Sequence, residues 1–172
     1  AINRNKQSLT CNLKSAAGLE VLHKLLGRCD VFLMNERRRE TREQLGIDYP
    51  SLAQRNPGIV YCSITGFGMS GPYEGKSAYD IIAQGMGGMM SLTGAVDGEP
   101  YRYPASIADL ATGMYGIGSI LAALLVRSRT GRGQYIDLSL FESQSWWSVV
   151  HALPYLLDGK PPRKLGNEHQ SI

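Results

Sequence analysis

Two short, almost wholly apolar segments, residues 30–34 and 59–64, stand on either side of a stretch that reads as helix, and this spacing constrains the fold most. Strands joined through helices favour parallel pairing, because a parallel pair needs a crossover whereas antiparallel neighbours need only a turn. The stretch between them carries its own punctuation. Residues 35–45 form a polar helical segment with Gly46 placed as its C-cap. Residues 49–55 form a second helix with Pro50 in the first turn, and Asn56-Pro57-Gly58 breaks it before the second strand. The fold class is α/β.

The remaining elements follow the same logic. Ser15 is placed to cap a helix over residues 16–28, with Leu19, Leu22, Leu25 and Leu26 spaced along one face. Residues 66–104 are glycine-rich, with turn signals at Gly71-Pro72 and Asp97-Gly98 and a helical stretch over 79–88. Excursions of this length inside a compact domain are usually functional. Residues 109–129 give the strongest helix signal and are apolar on every side, which predicts a helix buried in the core. Gly113, Gly116 and Gly118 weaken that helix unless close packing requires them. A turn at Thr130-Gly131-Arg132-Gly133 leads to a strand over 134–140 and a final helix over 141–157. The tail from Pro161 to His169 is polar and proline-rich and reads as a linker, so the chain divides into residues 1–158 and a connecting segment, 159–172.

Composition excludes several classes of function. Eighteen Lys and Arg against fifteen Asp and Glu leave a net charge of +3, too mild for binding nucleic acid through its phosphates. Cys11, Cys29 and Cys62 are widely spaced and form no CxxC pair, so neither a disulfide framework nor a zinc site is expected. His23, His151 and His169 lack ligand spacing, and no metal is expected. Residues 1–6 hold no apolar leader. With that cysteine usage, the reading is a cytoplasmic protein. The apolar run over 110–126 falls just under spanning length and carries three glycines, so no membrane segment is expected.

Three motifs bear on chemistry. Gly66-Phe67-Gly68-Met69-Ser70-Gly71 fits GxGxxG after a strand, but Pro72, Tyr73 and Gly75 interrupt the helix that a pyrophosphate site would need. Arg37, Arg38 and Arg39 stand where a helix begins, and cations there oppose its dipole. Either an anionic ligand offsets that opposition, or the arginines form a solvated face with Glu36, Glu40 and Glu43. Asp109 precedes an apolar, glycine-rich helix. It reads either as that helix's N-cap or as a nucleophilic carboxylate held near backbone amides.

Taken together, the blocks Ser8-Leu9-Thr10-Cys11-Asn12-Leu13-Lys14, Cys29-Asp30-Val31, Asn56-Pro57 and Tyr61-Cys62-Ser63-Ile64-Thr65-Gly66-Phe67-Gly68 resemble successive parts of the family III CoA-transferases. This is the CaiB/BaiF group, which includes the formyl-CoA and carnitine CoA-transferases. Gly71-Pro72-Tyr73, Tyr79-Asp80-Ile81-Ile82-Ala83-Gln84, Ile107-Ala108-Asp109-Leu110-Ala111-Thr112-Gly113, Thr130-Gly131-Arg132-Gly133-Gln134 and Gly166-Asn167-Glu168-His169 continue the likeness through the whole chain.

The resemblance implies a Rossmann-like parallel sheet with flanking helices, forming part of the large domain of a two-domain protein. Residues 159–172 would lead toward the small domain, and two chains would interlock as a homodimer. It implies an acyl-CoA:carboxylate CoA-transferase in which Asp109 forms an acyl anhydride and then a CoA thioester. Its substrates would be an acyl-CoA and a carboxylic acid acceptor. For that role Asp109 must stay ionised in a dry site, and nearby amides are expected to hold its pKa down. By the same carry-over Cys11 and Lys14 face the adenosine part of CoA. Asn35, Arg37, Arg38 and Arg42 face its phosphate and pantetheine region, and Tyr79 and Leu140 line the site near Asp109. One departure is local: an aromatic residue and a Pro-Gly pair usually follow the asparagine, where this chain has Glu36-Arg37-Arg38-Arg39. The alternatives are an α-methylacyl-CoA racemase-like enzyme and a non-catalytic CoA-binding fragment. The racemase would need a histidine where this chain has Tyr79, and a phenol, ionising at about pH 10, is a poor base at neutral pH.

Overall fold

Ser15 acts as its position predicts, its hydroxyl accepting the Gly18 N–H at the start of helix α1 (Ala16–Leu26). The computed structural model describes residues 3–169. Positions 1 and 2 of the N-terminal segment and positions 170–172 of the expected linker lie outside the described residues. After α1 come strand β1 (Val31–Met34), helices α2 (Arg39–Leu45) and α3 (Tyr49–Arg55), and strand β2 (Val60–Thr65). Helices α4 (Asp80–Met86), α5 (Met89–Leu92) and α6 (Ile107–Thr130) then lead to strand β3 (Tyr135–Ser139), and helices α7 (Leu140–Trp147) and α8 (Val149–Asp158) follow.

The strands form a parallel sheet in the order β1-β2-β3, with Val31 opposite Val60 and Tyr61 opposite Tyr135. The fold is therefore α/β, a parallel sheet with flanking helices. Central strand β2 is the most enclosed, with Val60, Tyr61, Cys62 and Ser63 fully buried. Leu26, Ile47, Leu52, Ile59 and Tyr61 make the main core, which joins α1 and α3 to the sheet. A smaller core of Ala83, Ala108 and Leu140 lies where α4, α6 and α7 meet. Asn56 locks the first crossover, its Nδ2 donating to the carbonyls of Leu26 and Cys29 just past the end of α1.

Three expectations change. The polar helix starts at Arg39 rather than residue 35, because Glu36 accepts both the Arg38 backbone N–H and its guanidinium and holds an extended entry. It ends at Gly46 as expected, in the left-handed conformation at φ 61°. The helix over 141–157 divides at Ser148, whose hydroxyl donates to the Gly87 carbonyl.

Helix α6 is the largest correction. It is long and apolar enough to cross a membrane by length and composition, and it was expected to be buried on every side. Instead it lays a narrow strip of small residues, Ala108, Ala111, Thr112, Gly116 and Ala123, against its neighbours, packing on β2, β3, α4 and α7. A Cβ on Gly116 would sit 3.4 Å from Leu138 Cδ1, so the small residues bring the helix axis close to the sheet. The large side chains Leu110, Met114, Ile117, Leu121 and Leu125 point the other way and are exposed, Met114 by 71%. Gly113 and Gly118 meet no such contact. Past α8, the tail turns back toward the 92–98 loop, where Lys164 Nζ donates to the Gly98 carbonyl.

Leu52 is 1% exposed at the centre of the main core. Leu52→Ala is expected to lower stability by about 2–5 kcal/mol, read as a lower urea midpoint, because the site loses transfer energy and leaves a cavity. An unchanged midpoint would show that α3 does not pack on the sheet.

Candidate active site

Parallel pairing puts the C-terminal ends of all three strands at one edge of the sheet, the edge where open α/β folds bind ligands. Asn35 directly follows β1, Gly66 follows β2, and Leu140 follows β3. The long crossover from β2 to β3 adds Tyr79, immediately before α4, and Asp109, in the first turn of α6. Asn35, Arg37, Gly66, Tyr79, Asp109 and Leu140 line one cleft of about 340 Å³. Gly66 is required there by close approach, since a Cβ would fall 2.6 Å from that of Ala78. The GxGxxG segment is loop, and no helix opens before α4. That loop is fixed from below: Thr65 Oγ1 accepts the Gly68 N–H and Asp137 Oδ2 accepts the Met69 N–H, each at 2.9 Å.

Asp109 is not the cap of its helix. It is the third residue of α6, and the cap comes from another element: Asp80 Oδ1 accepts the Ala108 N–H at 2.8 Å across 28 residues of sequence. Asp80 Oδ2 accepts Gln84 Nε2 at 2.7 Å, and Gln84 Oε1 accepts the Tyr103 N–H at 2.7 Å. Asp80 is 7% exposed and Gln84 fully buried, so this network is enclosed. No hydrogen bond among the described residues ends on the Asp109 carboxylate. The side chain keeps contact with solvent, yet partial desolvation, and secondarily the charge of Asp80, push its pKa above the usual aspartate value. This reverses the expected direction: no amide among the described residues donates to the Asp109 carboxylate, and desolvation with the charge of Asp80 raises its pKa.

Arg37 forms part of the wall of the cleft, and Arg39 braces the loop behind it. Arg37 Nε donates to the Gly75 carbonyl at 2.8 Å, and Arg39 Nη2 pairs with Glu74 at 2.8 Å. Lys76 also lines the cleft, its ammonium 4.3 Å from the centre of the Tyr73 ring. Two cations thus face the same space as one free carboxylate.

Comparison with known proteins decides the family. The model described as CoA-transferase family III matches residues 1–172. The chain belongs to CoA-transferase family III. It is 42% identical over 172 residues to a succinate–glutarate CoA-transferase of Agrobacterium fabrum, covering all of this chain and 43% of that protein. It is 40% identical to a succinyl-CoA:glutarate CoA-transferase of Mus musculus, covering 39% of it. The solved structure of a CaiB/BaiF family protein from Brucella suis superposes with a TM-score of 0.90 at 42% identity, over 97% of this chain and 44% of that one. The chain spans about two fifths of the length of these relatives.

In this family III chain the residues singled out from sequence fall into two groups. Asn35, Arg37, Tyr79, Asp109 and Leu140 meet in the cleft. Cys11, Lys14, Arg38 and Arg42 do not line it. Cys11 Sγ donates to the Gly18 carbonyl at 3.0 Å, and Lys14 is exposed near the start of α1. Arg38 closes on Glu36 and holds that carboxyl down to about 2, chiefly through the side-chain hydrogen bond. Arg42 is buried beside Tyr49, Tyr61 and Tyr135 in a separate cleft. Asp80, Gln84 and Lys76 were missed as site residues. The Tyr79–Gln84 block contained two of them, but their partners lie too far along the chain to be read from spacing.

The sign of the Asp109 shift gives a stability test. An acid whose folded pKa is raised has its charged form disfavoured by folding. The penalty is present in full above the folded pKa and fades as pH falls through the ordinary aspartate range. Asp109→Asn is therefore expected to raise Tm at pH 7, with the gain shrinking toward pH 3. A loss of Tm at neutral pH would show that the carboxylate is held by favourable contacts.

Proposed function

We propose that the protein carrying this segment is an acyl-CoA:carboxylate CoA-transferase with Asp109 as its nucleophile. The observation that carries this reading is a carboxylate free of hydrogen bonds, at a helix N-terminus, in a cleft shared with the Asn35 carboxamide and the Arg37 and Lys76 cations. Partial desolvation and the charge of Asp80 raise its pKa above that of an ordinary aspartate, which makes the carboxylate the more basic oxygen nucleophile. The cations suit an anionic acceptor and the charged arm of an acyl-CoA. CoA enters here as substrate, and the carboxamide of Asn35 suits the amides of its pantetheine chain.

In the first step an Asp109 oxygen attacks the thioester carbonyl. The C–S bond breaks, CoA thiolate leaves, and a mixed anhydride remains on Asp109. Thiolate then attacks the Asp109 carbonyl, releases the donor carboxylate and leaves an aspartyl-CoA thioester. The acceptor carboxylate attacks that carbonyl and expels thiolate, which attacks the acyl carbonyl of the new anhydride. This frees the new acyl-CoA and restores Asp109. The covalent route divides one difficult exchange into easier ones and keeps the thioester's energy from water. Asn35, Arg37, Tyr79 and Leu140 contact the acyl-CoA in this reading, with Cys11, Lys14, Arg38 and Arg42 reserved for its outer parts. A homodimer of interlocked chains belongs to the same reading and rests on the family resemblance, and a cytoplasmic setting rests on the cysteine usage.

Incubating the protein with labelled acyl-CoA and hydroxylamine is expected to leave a hydroxamate at position 109. Asp109→Asn is expected to abolish it and to lower CoA exchange by about 10³-fold or more. Binding without modification would favour a CoA-binding role. Loss of α-deuterium without acceptor-dependent exchange would favour a racemase.

A further inference from the structure

A buried carboxylate one residue after the substrate-facing Tyr79 has a role that the proposed chemistry leaves unassigned. Asp80 is nine-tenths buried and both of its oxygens are engaged, one by the Ala108 N–H and one by Gln84 Nε2. Gln84 in turn holds the Tyr103 N–H, and its Nε2 also reaches the Ala105 carbonyl at 3.4 Å. The segment 103–108, which delivers Asp109 into the cleft, is therefore stitched to α4 by two side chains. Ser106, in the N-cap position of α6, makes no side-chain bond of its own to the helix. Without Asp80 the Ala108 amide would lose its acceptor, and the first turn that carries Asp109 would lose its tie to α4.

We propose that Asp80 is the positioning residue of this site: by capping α6 from a neighbouring helix it leaves the Asp109 carboxylate unpaired and aimed at the substrate. This rests on the reading of Asp109 as nucleophile. Asp80 touches no reacting atom. Its fixed negative charge also faces Asp109 from α4 and supports the raised pKa. The other charged or titratable groups around Asp109 are Arg37 from the segment after β1, and Lys76 and Tyr79 from the loop before α4. Among these, Asp80 is the one that also fixes the backbone beside Asp109.

Asp80→Asn keeps one oxygen for the Ala108 N–H but removes the charge and opposes Gln84 Nε2 with a second donor. Three readouts separate positioning from simple structural support. Exchange activity is expected to fall about 10²-fold in kcat, the size of effect a small misplacement of a reacting group produces, with KM for acyl-CoA within about twofold. The acid limb of the rate profile is expected to move to lower pH, and so is the Asp109 carboxyl titration followed by ¹³C NMR without substrate. A wild-type pH profile and an unmoved Asp109 titration in a folded Asp80→Asn protein would overturn the proposal. Should that variant not fold, the unmodified protein still decides. The Ala108 amide proton is expected to shift with the titration of the Asp80 carboxyl, and an amide shift independent of it would overturn the assignment. Because the NMR readouts need no turnover, they stand apart from the test of Asp109 itself. Full activity in Asp109→Asn defeats the transferase mechanism, whereas its loss alongside an indifferent Asp80→Asn defeats only the positioning role.

Discussion

Parallel hydrogen bonding of β2 to both neighbours is the constraint from which the site follows. Each strand must run the same way, so each hands the chain over at the same edge, and the return path has to be a crossover. The first crossover is short and uses α2 and α3, sealed by Asn56 against the end of α1. The second is long, and its length delivers two further helix N-termini, those of α4 and α6, to the strand ends. Residues separated by more than a hundred positions, such as Asn35 and Leu140, thus face one cleft without any direct bond between them.

Features legible in the sequence were those fixed by local physics. Ser15, Gly46 and Pro50 act through their own backbone neighbourhood, and the structure places each at the terminus that its chemistry predicts. The apolar runs of β1 and β2 announced a parallel sheet because short apolar runs separated by helical segments suit strands joined by crossovers. The errors came where a partner elsewhere decides. Hydropathy counted Leu110, Met114 and Ile117 as buried, but burial follows small residues when a helix must approach a sheet closely, and here Ala111, Thr112 and Gly116 face inward. A run of apolar residues cannot say which of its sides meets the sheet.

The same limit explains the site. Asn35 and Leu140 were named through the family resemblance, whereas the Asp80 contact to Ala108 joins positions that no local pattern relates. Arg38 illustrates the opposite case. Its partner Glu36 lies two residues away, so the solvated-face reading was correct for Arg38, while Arg37 and Arg39 reach across to Gly75 and Glu74.

Two carboxylates at the N-terminus of one helix would ordinarily compete for the same amides and the same positive potential. Here they divide the position. Asp80, enclosed and doubly bonded, takes the hydrogen bond, while Asp109, open to the cleft, is left with the field of the helix but no donor. A carboxylate so placed is less stable than one that caps its own helix, and reactive sites commonly carry that kind of strain against their own fold. The buried Asp80–Gln84 network offsets it, because it anchors the segment before α6 through side chains that need nothing from Asp109. Separating the group that holds the helix from the group that faces the substrate lets a single turn of backbone serve both fold and chemistry.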